Sequence, residues 1–379
     1  MRILHIIDSG GMYGAEVLLL NLIEEQIQQG LNPILGSIAN NGCGEKAIEM
    51  EARQHKIHVK IFRMHPGPNF NGAWQIIQYA KSLDCDLLHS HGYKGNILLG
   101  LFPRRLRKLP LVSTVHGWTA ASGFSKMKIY EWFDRISLNF VDAIVLVNKG
   151  MLNLPYFKEK VSVRLHVINN GITENPIHGS LLRDDIKAFC EGKRVIGAIG
   201  RLSDEKGFNY LIDAFNEVKR RVPDVRLIII GEGPQRGLLE KKILKLGVAE
   251  FVYMPGFVTE ASSYLPLFDI LVMPSISEGL PIALLEAMRE GVPIVASAVG
   301  GIPDILADGS CGVLIPPCNR TRLVDALVTA LKLNSPIDLL IAQGKKRFFE
   351  LYTSEKMGKE YTNLYRKLLS DSAETRFHK

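Results

Sequence analysis

The chain has 379 residues, of which 46% are apolar and 22% charged, an ordinary balance for a globular protein and too much sequence for one compact core. This excludes a disordered or fibrous chain and makes two domains the first expectation. The net charge of +7, carried mostly by residues 1–190, permits contact with phosphates or anionic head groups. Charge alone describes a solvated basic surface equally well, and no nucleic-acid partner is expected from it.

In chain order the first half alternates short β-rich runs with helical stretches, the pattern of parallel sheets with crossover helices. The strands are expected at Arg2–Ile7, Pro33–Ile38, Val59–Phe62, Leu87–His89, Leu111–Val115, Ala143–Val147 and His166–Ile168. Between the first two, Ala15–Gln29 carries apolar residues at 18, 19, 22, 23 and 27, one face of a helix. The stretch IIDSGGMYGAEVLL (6–19) thus reads as strand, Gly-rich loop and helix. HSHGYKGN (89–96) and STVHGW (113–118) each end a strand, which puts His91, Lys94, Asn96 and His116 at strand ends.

NNGITENPIHGS (169–180) is rich in Asn, Gly and Pro and reads as a linker. The alternation then starts afresh. RVIGAIG (194–200), RLIIIGEG (226–233), FVYMPG, ILVMPS and IVASAVGG repeat a strand followed by a loop, and the near-continuous apolar run of the second suits a strand buried on both faces. A last helix is expected at Ser354–Leu369. The fold class is therefore α/β with two doubly wound, Rossmann-like domains. The expected boundaries are 1–173 and 174–354, with a helix at about 355–379 packing back on the first domain. Ligands of such sheets bind beyond the carboxyl ends of the strands. Chemistry is accordingly expected in the strand-end loops, in a cleft if two such edges face each other.

Three loops of the second half carry fitting chemistry. In PSISEGLPIALLEAMREGVPIVAS (274–297), Glu278 lies in a strand-end loop and Pro281 suits a first helical turn. Free N–H groups near Ile282 and Ala283 can then meet a phosphate, and Glu286, about one turn in, can accept both hydroxyls of a ribose. In GAIGRLSDEKGFNYLIDAF (197–215), Arg201 and Lys206 flank a loop directly after a strand. A forked guanidinium and a compact ammonium together can neutralise a diphosphate without a metal. GEGPQRG (231–237) is a tight turn and neither a full dinucleotide fingerprint nor a P-loop. In PGFVTEASSYLP (255–266), backbone atoms near Val258 can meet a base. Read blandly, the two glutamates are surface residues of a helix and SDEKG is an exposed charged turn.

GRLSDEKG, GEGP, PGFV and above all EGLPIALLE, with its Glu278-x7-Glu286 spacing, resemble the retaining glycosyltransferases of family 4, which have the GT-B fold. The motifs keep the family's order over nearly the whole chain. The resemblance implies that Glu278 contacts the donor sugar and Glu286 the ribose, and that Arg201 and Lys206 bind the diphosphate. It also implies that Gly14 lets backbone approach the donor phosphates, although Tyr13 stands where the family has its first Gly. His116 falls near the donor sugar, while Glu16, His91 and Asn96 fall on the acceptor side. Catalytic roles fall to Glu278, His116, Arg201 and Lys206, and donor contacts also to Val258 and Ile282.

The implied reaction moves a hexose-type sugar, with retention, from a nucleotide sugar, expected to be a UDP-sugar, to a glycan or lipid-linked acceptor in polysaccharide or glycolipid synthesis. No residue offers itself as a covalent nucleophile. The family's favoured proposal is a front-face route in which the leaving phosphate helps deprotonate the acceptor. No cofactor and no metal are expected: Asp84-Cys85-Asp86 has the Asp-x-Asp form of metal sites in the other large glycosyltransferase fold, but it precedes its strand. A nucleotide-sugar epimerase or phosphorylase of the same fold, or a non-enzymatic binding protein, are the alternatives.

The five cysteines, at 43, 85, 190, 311 and 318, have neither disulfide-framework nor zinc spacing. MRILHIID reaches Asp8 too early for a signal peptide, and no run of about 18 apolar residues exists. A cytoplasmic protein is expected. RRLRKLP (104–110) and GFSKMKIYEWFDRISLNF (123–140) combine cations with aromatics, as a peripheral contact with an anionic membrane would.

Overall fold

A computed structural model of the chain describes residues 1–65, 67, 69–116, 126–158, 164–175, 182–332 and 337–377. It comprises two units, Met1–Gly171 with Ser354–Lys379, and Ile172–Thr353. Part of the expected linker, 176–180, and the loop 117–125 lie outside the described residues.

The first unit is built on a seven-stranded parallel sheet in the order β3-β2-β1-β4-β5-β6-β7. Its strands are β1 Arg2–Ile7, β2 Asn32–Asn40, β3 His58–Met64, β4 Leu87–His91, β5 Leu111–Val115, β6 Ala143–Leu146 and β7 Leu165–Val167. The central strands are buried on both faces, which is why they read as apolar runs and not as alternating ones. One face carries the helices Phe70–Ser82 and Tyr93–Gly100, whose Ile76, Ile77, Leu98 and Leu99 join Leu4, Ile6 and Leu88 in one core. The other face is covered by the helices Gly14–Gln28 and Ser354–Phe377. In the latter, Met357, Tyr361, Leu364 and Tyr365 recur at helical spacing and pack on Ile3, Leu87, Val112 and Val145. The chain's last helix therefore completes the core of the first unit.

Under that helix lies a polar layer. His5 pairs in register with His89, and His91 follows two residues on, so all three rings point to the same face. His5 Nε2 meets Gln26 Oε1 at 2.8 Å, and His89 meets Thr114 Oγ1 and Tyr365 Oη, each at 2.7 Å. Thr114 in turn meets Tyr361 Oη at 2.8 Å. The rings are fully or almost fully buried. Burial pulls His5 and His116 from the usual 6.5 down to about 4, and His89 and His91 well below 6.5.

The second unit has a six-stranded parallel sheet in the order β10-β9-β8-β11-β12-β13. The strands are β8 Arg194–Ile199, β9 Val225–Ile230, β10 Val252–Gly256, β11 Ile270–Met273, β12 Ile294–Ser297 and β13 Val313–Ile315. Helix Phe208–Arg221 buries Leu211, Ile212, Phe215 and Val218 against Ile196, Leu227 and Ile229. Both sheets are parallel, so within each unit the carboxyl ends of all strands lie along one edge, with the strand-to-helix loops beyond them.

The histidine layer predicts how the first unit responds to acid. Four rings whose folded pKa lies below the unfolded value resist protons that the unfolded chain accepts. Their stabilisation is complete above about 6.5 and is lost as pH falls toward 4. Trp74, Trp118 and Trp132 all belong to the first unit, so tryptophan fluorescence reports on it. The urea midpoint read by fluorescence should drop between pH 7 and pH 5; an unchanged midpoint would mean that these rings titrate normally in the fold.

Candidate active site

In the second unit, β8 and β11 are neighbours, and their loops leave the sheet side by side. The backbones almost touch. Gly207 has φ +66, and a Cβ there would lie 2.1 Å from the Pro274 carbonyl oxygen. The Ile276 N–H donates to Glu205 O at 2.8 Å. This approach lets Lys206 Nζ reach Glu278 Oε1 at 2.6 Å, an oxygen that also accepts from Ser275 Oγ at 2.7 Å. The carboxylate is 7% exposed and the ammonium 21%, so the acid is withdrawn from water while the lysine stays reachable.

The β12 loop closes on the same segment. Gly300 has φ +55, and a Cβ would stand 1.8 Å from the Glu278 carbonyl oxygen. Gly301 N–H donates to Gly279 O at 3.1 Å. Three adjacent strand-end loops thus fix Glu278 from both sides.

Arg201 is exposed on the β8 loop. Burial works to raise the Glu205 carboxyl; the Ser203 hydroxyl and the charges of Arg201 and Lys206 outweigh it and leave the group below its usual range. Both cations therefore bear on one patch of the loop. The β9 loop, GEGPQRG, is zipped to it: Leu202 N–H donates to Glu232 O and Gln235 N–H to Leu202 O, each at 2.9 Å.

Helix Ile282–Glu290 starts at Pro281 with no side-chain cap. Its first N–H groups, at Ile282 and Ala283, have no partner within the helix and form its positive end. Glu286 is half-buried one turn later. Burial raises its carboxyl, opposed by the Arg289 charge and by a hydrogen bond from Ser262. Ser262 lies in the turn Ala261–Leu267 after β10, on the loop that carries half-buried Val258. The expected donor-side residues of this unit, Arg201, Lys206, Val258, Glu278, Ile282 and Glu286, all lie along one edge of the sheet.

In the first unit, Gly14 opens the first helix. Glu16 is 6% exposed, and its carboxylate accepts from Tyr13 N–H at 3.1 Å, so it caps the helix. Asp8, at the end of β1, sits between Lys46 at 2.8 Å and Lys94 at 3.2 Å. His91 ends β4 and His116 follows β5; His91 Nδ1 lies 3.4 Å from His116 Nε2. Asn96 is not at an opening. It is 1% exposed, donates to Asp134 Oδ1 at 2.8 Å and accepts from Ser113 Oγ at 2.7 Å.

The basic run 104–110 departs from the expected set of outward cations. Arg107 is fully buried and bonded to Leu99 O, Leu109 O and Asp142, because the chain's turn there needs a donor for carbonyls removed from water. Arg104 also pairs with Asp142, at 2.6 Å. Asp84-Cys85-Asp86 lies at the amino end of β4, where Asp86 accepts from Arg2 N–H at 2.7 Å.

Sequence reasoning overlooked Ser262, Ser275, Asp8, His5 and Gln26. For the first three the signal was a small polar or acidic residue in a strand-end loop; for His5 it was a polar residue inside an apolar strand. The nitrogens of His5, His89 and His91 gather within 4.8 Å, a spacing a metal ion could use, but each already has a protein hydrogen-bond partner.

Residues 183–347 match the family model for Glycosyl transferases group 1, and residues 12–175 the one for Glycosyltransferase Family 4. An uncharacterized glycosyltransferase of Methanocaldococcus jannaschii is 31% identical over 301 residues, covering 74% of this chain and 75% of that protein. The GDP-mannose-dependent alpha-(1-6)-phosphatidylinositol monomannoside mannosyltransferase of Mycolicibacterium smegmatis is 36% identical over 246 residues, 62% of this chain and 63% of that one. The crystal structure of Anabaena HepE in complex with UDP-glucose superposes with a TM-score of 0.81 at 21% identity, covering 97% of this chain and 100% of that one. The two family matches and the archaeal relative show that the chain belongs to the group 1, GT4-type glycosyltransferases, and the superposition shows their GT-B fold.

Proposed function

We propose that the enzyme is a retaining hexosyltransferase that takes a hexose from a nucleotide sugar, a UDP-hexose in the first instance, and moves it to a glycan or lipid-linked acceptor. The observation that carries this reading is the convergence of Lys206, Glu278, the uncapped helix start at Ile282 and Glu286 along one sheet edge of the second unit. Two cations and a helix tip suit a diphosphate, a carboxylate one turn into the helix suits a ribose, and a carboxylate fixed by three loops suits sugar hydroxyls. HepE was crystallised with UDP-glucose. The mycobacterial relative is named for GDP-mannose, and the base contact near Val258 is backbone chemistry open to either.

In the proposed step the bond between the anomeric carbon and the β-phosphate oxygen breaks. The acceptor hydroxyl attacks from the same face, and its proton passes to the departing phosphate. Arg201, Lys206 and the N–H groups at Ile282 and Ala283 stabilise the charge that develops on the diphosphate. Glu278 and His116 orient the sugar. Gly14 allows the phosphates to approach backbone, and Glu16 borders the acceptor side; His91, expected there too, is 3% exposed with both ring nitrogens bonded and acts through His116. The cations replace a metal, and no cofactor takes part. The five cysteines are all free thiols, which suits work in the cytoplasm.

A peripheral membrane contact has its own observation. Helix Lys126–Ser137 is inside out: it buries Glu131, Asp134 and Ser137 and exposes Ile129, Tyr130, Trp132 and Phe133. Lys128 and Arg135 flank these apolar side chains, and Arg105 and Lys108 are exposed on the neighbouring basic run. An apolar face rimmed with cations suits an anionic bilayer surface. No helix among the described residues is long and apolar enough to cross a membrane.

Three measurements test these readings. With a labelled UDP-hexose, Lys206→Ala and Glu278→Ala should each lower kcat/KM by about 100-fold or more, and EDTA should leave the parent rate unchanged; near-normal turnover in both variants would remove the proposed roles. Gly300→Ala should also abolish transfer by pushing the Glu278 loop away. Gly192→Ala is the control, since it has a similar positive φ of +65 but nothing within 4 Å of its Cβ, and it should retain activity. In sedimentation assays the protein should bind phosphatidylglycerol–phosphatidylcholine vesicles and not phosphatidylcholine alone. High salt or Trp132→Ser with Phe133→Ser should release it, and equal binding to both vesicle types would contradict the contact.

A further inference from the structure

Three buried histidine rings of the first unit and half-buried His116 form one unbroken chain of hydrogen bonds with a direction. From His116 Nε2 it runs to His91 Nδ1 at 3.4 Å, from His91 Nε2 to His5 Nδ1 at 3.1 Å, and from His5 Nε2 to Gln26 Oε1 at 2.8 Å. From the other side of the same amide, Gln26 Nε2 donates to Tyr365 Oη at 3.4 Å. Tyr365 Oη meets His89 Nδ1, and His89 Nε2 meets Thr114 Oγ1.

A neutral imidazole has one donor nitrogen and one acceptor nitrogen, and burial keeps all four rings neutral. The Gln26 carbonyl oxygen can only accept, so His5 carries its proton on Nε2. His5 Nδ1 must then accept from His91 Nε2–H, and His91 Nδ1 from His116 Nε2–H. On the other arm, Tyr365 accepts from the amide and donates to His89 Nδ1, which leaves the His89 proton on Nε2. One amide sets the tautomer of four histidines. At the far end, His116 Nδ1 is left as a bare acceptor. It is buried and has no hydrogen-bond partner among the described residues. Leaving such a group unmatched costs roughly 1–3 kcal/mol, so an O–H or N–H brought to this atom is stabilised there.

We propose that Gln26, His5 and His91 are positioning residues that lock His116 as the Nε2–H tautomer, and that its Nδ1 accepts a hydrogen bond from a hydroxyl of the transferred sugar. The assignment of a sugar hydroxyl rests on the proposed function; the tautomer does not. In this state His116 can take a proton donor but cannot offer one. The site should therefore require an O–H at that sugar position and reject a deoxy or fluoro analogue, because the acceptor would stay buried and unmatched. The rival use of these rings is a metal site at His5, His89 and His91, which would need their shared nitrogens stripped of these bonds.

The experiment is long-range ¹H–¹⁵N NMR of the full chain labelled at histidine, at pH 7.5. His5, His89, His91 and His116 should all show protonated Nε2 and bare Nδ1. Gln26→Met, which keeps the length of the buried side chain but removes the amide, should turn His116 into a mixture of tautomers. It should also lower kcat/KM for the sugar nucleotide by about 10- to 100-fold while leaving the affinity for free UDP unchanged. Should that variant not fold, His91→Gln breaks the same chain nearer its end and should give the same spectrum and the same kinetic split. A His116 that carries its proton on Nδ1, or is charged at pH 7.5, overturns the proposal. So does one equivalent of Zn²⁺ shifting the three clustered histidines. If the parent turns over no sugar nucleotide, the proposed function fails while the spectrum still decides the tautomer.

Discussion

A carboxylate that is 7% exposed survives only with partners, and the partners of Glu278 organise the site of the second unit. Lys206 comes from the loop after β8 and Ser275 from the loop after β11. Neither loop could come close enough if Gly207 carried a Cβ, and the β12 loop has the same requirement at Gly300. The glycines, the ion pair and the strand order are one constraint: adjacent parallel strands release their loops side by side, and positive-φ glycines let backbones approach to van der Waals distance. The lysine is thereby partly desolvated and aimed before any ligand arrives, which reduces the ordering needed on binding.

The first unit solves a related problem without charge. Its sheet face under the last helix has polar rings where an aliphatic layer would be the default. These are tolerated because every ring nitrogen of His5, His89 and His91 has a partner. Tyr361 and Tyr365 of the last helix are part of that satisfaction, so the C-terminal segment does more than cover apolar surface. Removing it would strip partners from the layer that ends at His116. This ties the sequence's last long helix to His116 beyond the end of β5 through hydrogen bonds as well as packing.

The strands were legible because they are buried on both faces, and a run such as RLIII has few other ways to exist. The Glu278–Glu286 pair was legible because a Pro at the helix start fixes which residues fall in the loop and which on the helix. Asn96 was not legible. Its address after β4 is that of a pocket residue, but Asp134 and Ser113 reach it from elements distant in sequence and draw it inward. Arg107 shows the same limit: four cations in five positions look alike until one must satisfy buried carbonyls. Glu16 stands in the first turn of its helix, and its carboxylate already bonds the backbone at Tyr13. In each case the decisive partner is contributed by tertiary structure or by backbone geometry, neither of which local pattern records.

The two units hold their polar groups differently, and the proposed reaction gives that difference a use. Phosphate oxygens carry full charge, and only cations or oriented N–H groups repay the removal of their water; the second unit supplies Arg201, Lys206 and a helix start. Sugar hydroxyls are neutral and can be met by a carboxylate already paired with a cation, as Glu278 is with Lys206, or by a neutral acceptor. A neutral acceptor whose polarity is set far away suits them too, because it holds its direction without holding a charge. Four histidines kept neutral well below physiological pH, and oriented by one glutamine, provide that. Charge is thus held in ion pairs at the carboxyl edge of each sheet, Lys206 with Glu278 in one and Asp8 with Lys46 and Lys94 in the other, and the histidine layer adds directional but uncharged hydrogen bonding to the first unit.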